Sequence, residues 1–172
     1  TAYSAFANGG MRVDPIFVTA IADANGNIIS QFSPRNTLVI GEEGYYRILS
    51  ILLNVVDAGT GNRLRRIYGI KAQTGGKTGT SNYNADGWFM GFTPNLVFGA
   101  WVGGEERYIH LNRVGGSTAL PICKLFMGKV YSDKKLPYKK DAKFFLIMVS
   151  ASIKCIVSFW ARLNKFSCFK RL

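Results

Sequence analysis

Residues 75–80, Gly-Gly-Lys-Thr-Gly-Thr, place one lysine and two hydroxyl side chains within a run of glycines. A nucleotide phosphate loop requires a further glycine five residues before the Gly-Lys pair and a helix directly after it. Lys71 occupies the position of that glycine, and the residues after Lys77 favour turns over helix. The spacing therefore favours a strand edge that presents Lys77 and two threonine hydroxyls to a different kind of ligand.

The net charge of +12 is unevenly distributed along the 172 residues. Residues 1–143 contain 17 Lys and Arg and all 10 acidic residues, whereas residues 144–172 contain five basic residues and no acid. The basic residues of the first part are mostly scattered and no nucleic-acid-binding motif accompanies them, so we expect no nucleic-acid partner. The three cysteines and the single histidine, His110, lack metal-type spacing, so we expect neither a metal nor a cofactor.

Hydrophobic periodicity predicts three helices. The strongest signal covers residues 42–58, where apolar residues recur at helical spacing, acids stand at the start and Gly59 follows the end. Residues 1–8 have a weaker helical spacing that ends at a Gly-Gly pair. Residues 118–130 also favour a helix, with Pro121 acceptable in its first turn.

Strand signals complete an α+β pattern. Residues 15–22 and 28–29 predict a hairpin around Asn25-Gly26, and residues 38–40 a short strand. Three further strands are predicted at the following ranges: 77–80, 87–92 and 96–102. The last two are joined by a Thr-Pro-Asn turn, which favours antiparallel pairing. We therefore expect an antiparallel sheet flanked by helices, with Trp88 and Trp101 contributing to packing rather than to a site.

The motifs resemble the C-terminal half of the transpeptidase domain of class A, bifunctional penicillin-binding proteins. Lys77-Thr78-Gly79-Thr80 matches the Lys-Thr-Gly element of that serine acyltransferase superfamily. The runs that follow it, "DGWFMGFTPNLVFGAWVGG" and "GGSTALPI", stand in the family's order. "SAFANGG" and "VVDAGTG" extend the similarity upstream, so it covers residues 1–143. The resemblance implies part of a penicillin-binding, β-lactamase-like transpeptidase fold.

The resemblance also implies roles in acyl transfer from D-Ala-D-Ala peptides, which needs a nucleophile, a base, an oxyanion hole and a carboxylate-binding group. Lys77 would supply positive potential and join a proton relay. Thr78 and Thr80 would bind the substrate carboxylate, and the Thr80 backbone amide would donate to the oxyanion. Gly79 would permit close approach of substrate. Strand alternation places Lys77 and Gly79 on one face and the two threonines on the other.

The sequence departs from the family pattern at the nucleophile. It has no Ser-x-Asn triplet, and its two Ser-x-x-Lys matches, at residues 132–135 and 167–170, follow Lys77 instead of preceding it. We therefore expect a transpeptidase fragment that is inactive alone and lacks the N-terminal half of its domain. Its implied partners are a peptidoglycan stem peptide or a β-lactam, at the periplasmic face of the inner membrane in the intact protein. The alternatives are a non-catalytic peptidoglycan-peptide binding module or a membrane-surface binder.

Residues 144–172 form a basic and hydrophobic tail of different character. The apolar run within it is short for a membrane span and is interrupted by Lys154. The residues at 150, 154, 158, 162 and 165 form a polar stripe at helical spacing, which favours an amphipathic membrane-surface helix. The loss of acids at the boundary favours instead a frameshift-derived sequence, and this second interpretation is the one we adopt.

Overall fold

The computed structural model describes residues 1–106 and 108–144. In these residues a short helix, four short strands and two further helices come first, followed by three longer strands and a long helix. The elements in chain order are α1 (Ala2–Ala7), β1 (Met11–Val13), β2 (Ala20–Ala22), β3 (Ile28–Gln31), β4 (Asn36–Leu38), α2 (Glu42–Asp57), α3 (Arg63–Arg66), β5 (Gly75–Thr80), β6 (Asp86–Thr93), β7 (Leu96–Gly103) and α4 (Gly115–Ser132). Apart from Phe144, the tail lies outside the described residues, so both of its interpretations remain predictions.

The main sheet has three antiparallel strands in the order β5-β6-β7. Pro94 and Asn95 make the two-residue turn between β6 and β7, so Thr93 pairs with Leu96 and Phe92 with Val97. β5 pairs along its whole length with β6, from Gly75 opposite Phe92 to Thr80 opposite Gly87. The predicted strand order and antiparallel pairing are confirmed.

One face of this sheet is covered by α4. Alternate residues of β6 and β7 point toward the helix, and Phe89 is fully buried while Phe98 is 7% exposed. They pack with Leu120 and Met127 of α4 and with Leu64 of α3. Burial of these large apolar side chains is the main stabilising term for this layer.

A second cluster covers one end of the opposite face. Phe92 is fully buried there against Tyr45 and Leu49 of α2, and against Phe144. The apolar stripe of α2 has helical spacing, as predicted, and α1 adds Phe6 to the same cluster. The α+β class, an antiparallel sheet flanked by helices, is therefore confirmed.

Residues 11–40 form two small two-stranded sheets, β1 with β4 and β2 with β3. The predicted hairpin is present, but its first strand is limited to Ala20–Ala22 and begins five residues later than predicted. Its turn is closed by Asp23, whose carboxylate accepts hydrogen bonds from the Asn25 and Asn27 backbone amides. The Asn27 side-chain amide also donates to this carboxylate at 2.9 Å, and this bond, followed by the one from the Asn27 backbone amide, lowers the pKa of Asp23.

Helix α4 begins at Gly115, three residues before the predicted start. Pro121 consequently lies beyond the first turn, where its missing N–H removes one helical hydrogen bond. The two glycines at the start have poor intrinsic helix propensity, which explains the error in the prediction. Packing against the sheet outweighs that propensity, because α4 contacts all three main strands.

Candidate functional site

The Lys-Thr-Gly-Thr sequence lies in β5, at an edge of the three-stranded sheet. Lys77 is opposite Met90 and Gly79 is opposite Trp88, so these four residues share one face. Thr78 and Thr80 point to the other face. The Lys77 side chain is exposed, and its Nζ donates a 2.7 Å hydrogen bond to the Thr78 carbonyl.

Glycines at the start of β5 allow the strand to lie against aromatic rings. A Cβ on Gly75 would be 2.6 Å from the Phe92 ring, and one on Gly76 would be 2.6 Å from the Met90 carbonyl oxygen. Neither distance is sterically possible without a shift of neighbouring atoms. The two glycines therefore fix how closely β5 approaches β6, and with it the position of Lys77.

Thr78 contacts a turn that is distant in sequence. Its hydroxyl lies 2.7 Å from the hydroxyl of Thr60, which follows α2. On the other side, a Cβ on Gly116 of α4 would be 3.3 Å from Thr78 Cγ2. The Thr78 side chain therefore lies between the α2–α3 turn and the first turn of α4.

Two arginines hold α3 in place beside this contact. Arg63 Nη1 donates to Ser117 Oγ of α4 at 3.1 Å. Arg65 forms a 2.8 Å ion pair with Asp57 at the end of α2 and also donates to the Ile70 carbonyl. The first of these bonds ties the α2–α3 region to the start of α4, and the second ties it to α2.

The end of β5 is closed by a tight turn. The Ser81 hydroxyl accepts a 2.7 Å bond from the Asp86 amide, and Tyr83 and Asn84 have positive φ angles of 57° and 58°. The His110 ring nitrogen Nδ1 lies 2.8 Å from the Tyr83 carbonyl, which makes Nδ1 the donor. His110 thus has a backbone partner in the turn next to Thr80, a contact that the sequence did not indicate.

Trp88 and Trp101 form a cross-strand pair on the same face as Lys77. Their ring centroids are 6.4 Å apart, and they are 45% and 47% exposed. Trp101 Nε1 donates to the Asp86 carboxylate at 2.9 Å. The two rings pack on each other, but they are less buried than packing residues usually are, and Trp88 directly neighbours Gly79.

The Ser132–Lys135 match to Ser-x-x-Lys lies at the opposite end of α4 from the contact with Thr78. Ser132 is 16 residues beyond Gly116 along α4, roughly 24 Å along the axis at 1.5 Å per residue. Its hydroxyl donates to the Lys129 carbonyl of its own helix, and the Lys135 amide donates to Asp133. This serine is therefore part of a helix end and not of the β5 region. The second match, at 167–170, lies outside the described residues.

The described part of the chain holds no group of three or more His, Cys, Asp and Glu residues that could bind a metal ion. Among residues 1–106 and 108–144, no helix is both long and apolar enough to cross a membrane. Cys123 is 2% exposed, and burial raises the pKa of its thiol to about 11. The groove beside it, about 310 Å³, is lined by β7 and by apolar side chains of α4.

Residues 1–127 match the family model of the penicillin-binding protein transpeptidase domain. The chain is 36% identical to penicillin-binding protein 1A of Rickettsia conorii, over 88% of this chain and 22% of that protein. It is 33% identical to penicillin-binding protein 1A of Neisseria flavescens, over 73% of this chain and 16% of that protein. The chain belongs to the penicillin-binding transpeptidase family, and it spans about a fifth of the length of the curated relatives it matches.

Solved structures give the same result for the fold. The crystal structure of penicillin-binding protein 1A from Haemophilus influenzae has a TM-score of 0.72 at 26% identity, over 84% of this chain and 27% of that one. The D,D-transpeptidase domain of a peptidoglycan glycosyltransferase from Eggerthella lenta has a TM-score of 0.58 at 27% identity, over 77% of this chain and 31% of that one. The sequence-based assignment to part of such a domain is confirmed.

The contacts that surround Thr78 have no signal in the sequence. "VVDAGTG" carries part of the family resemblance, but nothing in it indicates that Thr60 meets Thr78. Arg63 and Ser117 were likewise assigned no function. Both pairs bring together residues at least 18 positions apart, so no local pattern connects them.

Proposed function

We propose that this chain supplies the substrate-carboxylate side of a peptidoglycan D,D-transpeptidase site. The observation that supports this role most strongly is the position of β5, with Lys77 exposed at the edge of the sheet beside an anchored Thr78. A cation and hydroxyl donors on one strand match the needs of a terminal carboxylate, which only accepts hydrogen bonds. The proposed ligand is the D-Ala-D-Ala end of a stem peptide, or a β-lactam in its place.

Each of the four residues from Lys77 to Thr80 has a separate part in this proposal. Lys77 provides positive potential next to the reacting carbonyl and takes part in proton transfer to and from the nucleophile. The hydroxyls of Thr78 and Thr80 donate to the substrate carboxylate. The Thr80 backbone amide is one donor of the oxyanion hole, and Gly79 leaves room for the substrate chain.

The nucleophile is not among the residues assigned here. Neither Ser-x-x-Lys match has the position that the reaction needs: Ser132 is engaged in the end of α4, and the other match follows β5 by nearly ninety residues. We therefore propose that the chain alone binds the peptide without turning it over, and that the intact protein works at the periplasmic face of the inner membrane. A non-catalytic peptide-binding module would use the same edge of β5.

A titration of the ¹⁵N-labelled chain tests this role. A peptide ending in D-Ala-D-Ala with a free carboxylate is expected to shift the backbone amide signals of Lys77 to Thr80. Lys77→Ala is expected to weaken binding at least about fivefold, because the positive potential beside the anionic ligand is lost. Lys129→Ala removes an exposed lysine of α4 and serves as the matched control.

Two outcomes would contradict the proposal. One is a set of shifted signals that excludes β5. The other is an affinity that Lys77→Ala and Lys129→Ala reduce equally, since the peptide would then sense only the net charge. Incubation with a fluorescent penicillin tests the inactivity of the chain alone, and a stable covalent label on any serine would show that the nucleophile had been wrongly excluded.

A further inference from the structure

The Gly-Thr-Gly sequence at residues 59–61 has no part in the function proposed above. Both glycines fit tightly against the end of α2: a Cβ on Gly59 would be 2.9 Å from Val55 Cα, and one on Gly61 would be 3.2 Å from the Val55 carbonyl oxygen. The Gly61 amide donates to that same carbonyl at 2.8 Å. The turn therefore folds back onto the helix, and Thr60 is held at its tip.

This turn places the Thr60 hydroxyl against β5. The 2.7 Å contact with Thr78 is between hydroxyls of two elements separated by 18 residues. Gly116 closes the other side, since a Cβ there would be 3.3 Å from Thr78 Cγ2 and 3.5 Å from the Thr60 carbonyl oxygen. The Arg63–Ser117 bond fixes the neighbouring part of the turn region to α4.

We propose that Thr60 is a positioning residue that orients the Thr78 hydroxyl toward the substrate carboxylate, an inference that rests on the proposed function of β5. A threonine hydroxyl has one proton to donate and two lone pairs. When Thr60 donates its proton to Thr78 Oγ1, the proton of Thr78 points away from Thr60 and is available to an anion. Hydrogen bonds in such a chain polarise and strengthen one another.

The geometry also favours access to this pair. Thr60 is exposed and Thr78 is half-buried, so the hydroxyl pair lies at the surface instead of within the core. A contact that served only folding would gain little at such an exposed position, because water competes for both hydroxyls. The close packing of Gly59, Gly61 and Gly116 nevertheless keeps the two side chains at hydrogen-bonding distance.

The test measures the affinity of the full chain for two peptides ending in D-Ala-D-Ala, one with a free carboxylate and one amidated. Thr60→Val removes the hydroxyl with little change in volume and is expected to weaken binding of the carboxylate peptide about threefold to tenfold. Binding of the amidated peptide is expected to stay the same. Thr60→Ser is expected to restore the wild-type affinity, and Thr60→Ala removes the same hydroxyl if the valine variant fails to fold.

The same substitution in a chain that already carries Thr78→Val tests whether Thr60 acts through Thr78. If Thr60 acts through Thr78, then Thr60→Val causes no further loss in a Thr78→Val chain. Equal affinity of wild type and Thr60→Val for the carboxylate peptide would overturn the inference. So would an equal loss of affinity for both peptides, or a further loss of affinity when Thr60→Val is added to the Thr78→Val chain. If the wild-type chain binds neither peptide, the proposed function of β5 fails and the inference fails with it, which is a different result from each of these.

Discussion

The two faces of the three-stranded sheet differ in how far they are covered. On the face toward α4, both Phe89 of β6 and Phe98 of β7 are buried. Among residues 1–106 and 108–144, the side chains packed on the opposite face cover the end near Phe92, while Trp88 and Trp101 at the other end are about half exposed. Lys77 lies between these two ends, opposite Met90.

This difference places the residues proposed for the site in two settings within one strand. The α4 face provides the packed core, and its residues alternate with those that lie beside Lys77 and Gly79. The roles proposed for Lys77 and Gly79 therefore use a strand whose position is already fixed by packing on the α4 face. Thr78 and Thr80 are exceptions, because they point to the α4 side, and Thr78 there contacts Thr60 at the edge of the covered region.

The largest expected effect comes from comparing Phe89 with its neighbour Trp88. Phe89→Ala removes a fully buried ring and is expected to lower the free energy of unfolding by about 3 to 5 kcal/mol. Trp88→Ala removes a half-exposed ring and is expected to lower it by about 1 kcal/mol. Urea unfolding of both variants measures the two values, and similar losses would show that the two faces are covered alike.

Two glycines of β5, Gly76 and Gly79, provide a smaller contrast. Gly76→Ala places a Cβ 2.6 Å from the Met90 carbonyl oxygen and is expected to cost about 1 to 3 kcal/mol, because backbone atoms must shift. Gly79→Ala places a Cβ 3.1 Å from Trp88 Cβ on the open face, a wider separation than at Gly76 and not from a backbone atom. We expect it to cost less than Gly76→Ala in thermal unfolding. A larger loss at Gly79 would mean that the open face is as tightly packed as the covered one.

The smallest effect concerns the pH dependence of the covered face. Burial raises the pKa of Cys123 to about 11, above the ordinary value of 9.0 for an exposed thiol. The buried, protonated thiol therefore makes its full contribution to the free energy of unfolding below pH 9, and this contribution is lost as the pH rises toward 11. The reason is that the thiol of the unfolded chain ionises at a lower pH than the buried thiol. With Cys155 and Cys168 replaced by serine, we expect stability to fall more steeply above pH 9 than in the matched Cys123→Ala chain. Parallel pH profiles would contradict burial of this thiol.

The sequence was sufficient to predict the elements whose signals are local. The three main strands, their antiparallel order and α2 follow from alternation, a Thr-Pro-Asn turn and helical periodicity. The start of α4 was missed, because Gly115 and Gly116 have low helix propensity. Glycine at position 116 is explained by a tertiary contact, because the absence of a Cβ allows the helix to approach Thr78.

The candidate site was predicted only in part, for the same reason. A known motif identified Lys77 to Thr80, and strand alternation placed their side chains on two faces. The partners of Thr78 and His110 depend on how turns dock after the chain has folded, and local sequence patterns do not encode such docking. The roles given to the four residues from Lys77 to Thr80 stay proposals.

The most direct measurement uses a chimera in which residues 1–143 replace the matching segment of Rickettsia conorii penicillin-binding protein 1A. If this chain supplies the carboxylate side of the site, the chimera reacts with a fluorescent penicillin. Lys77→Ala is then expected to lower the second-order labelling rate about a hundredfold or more, as loss of a key electrostatic group does, while Lys129→Ala leaves it unchanged. A chimera that is folded by thermal unfolding yet unlabelled, or one whose labelling rate is unaffected by Lys77→Ala, would contradict the account.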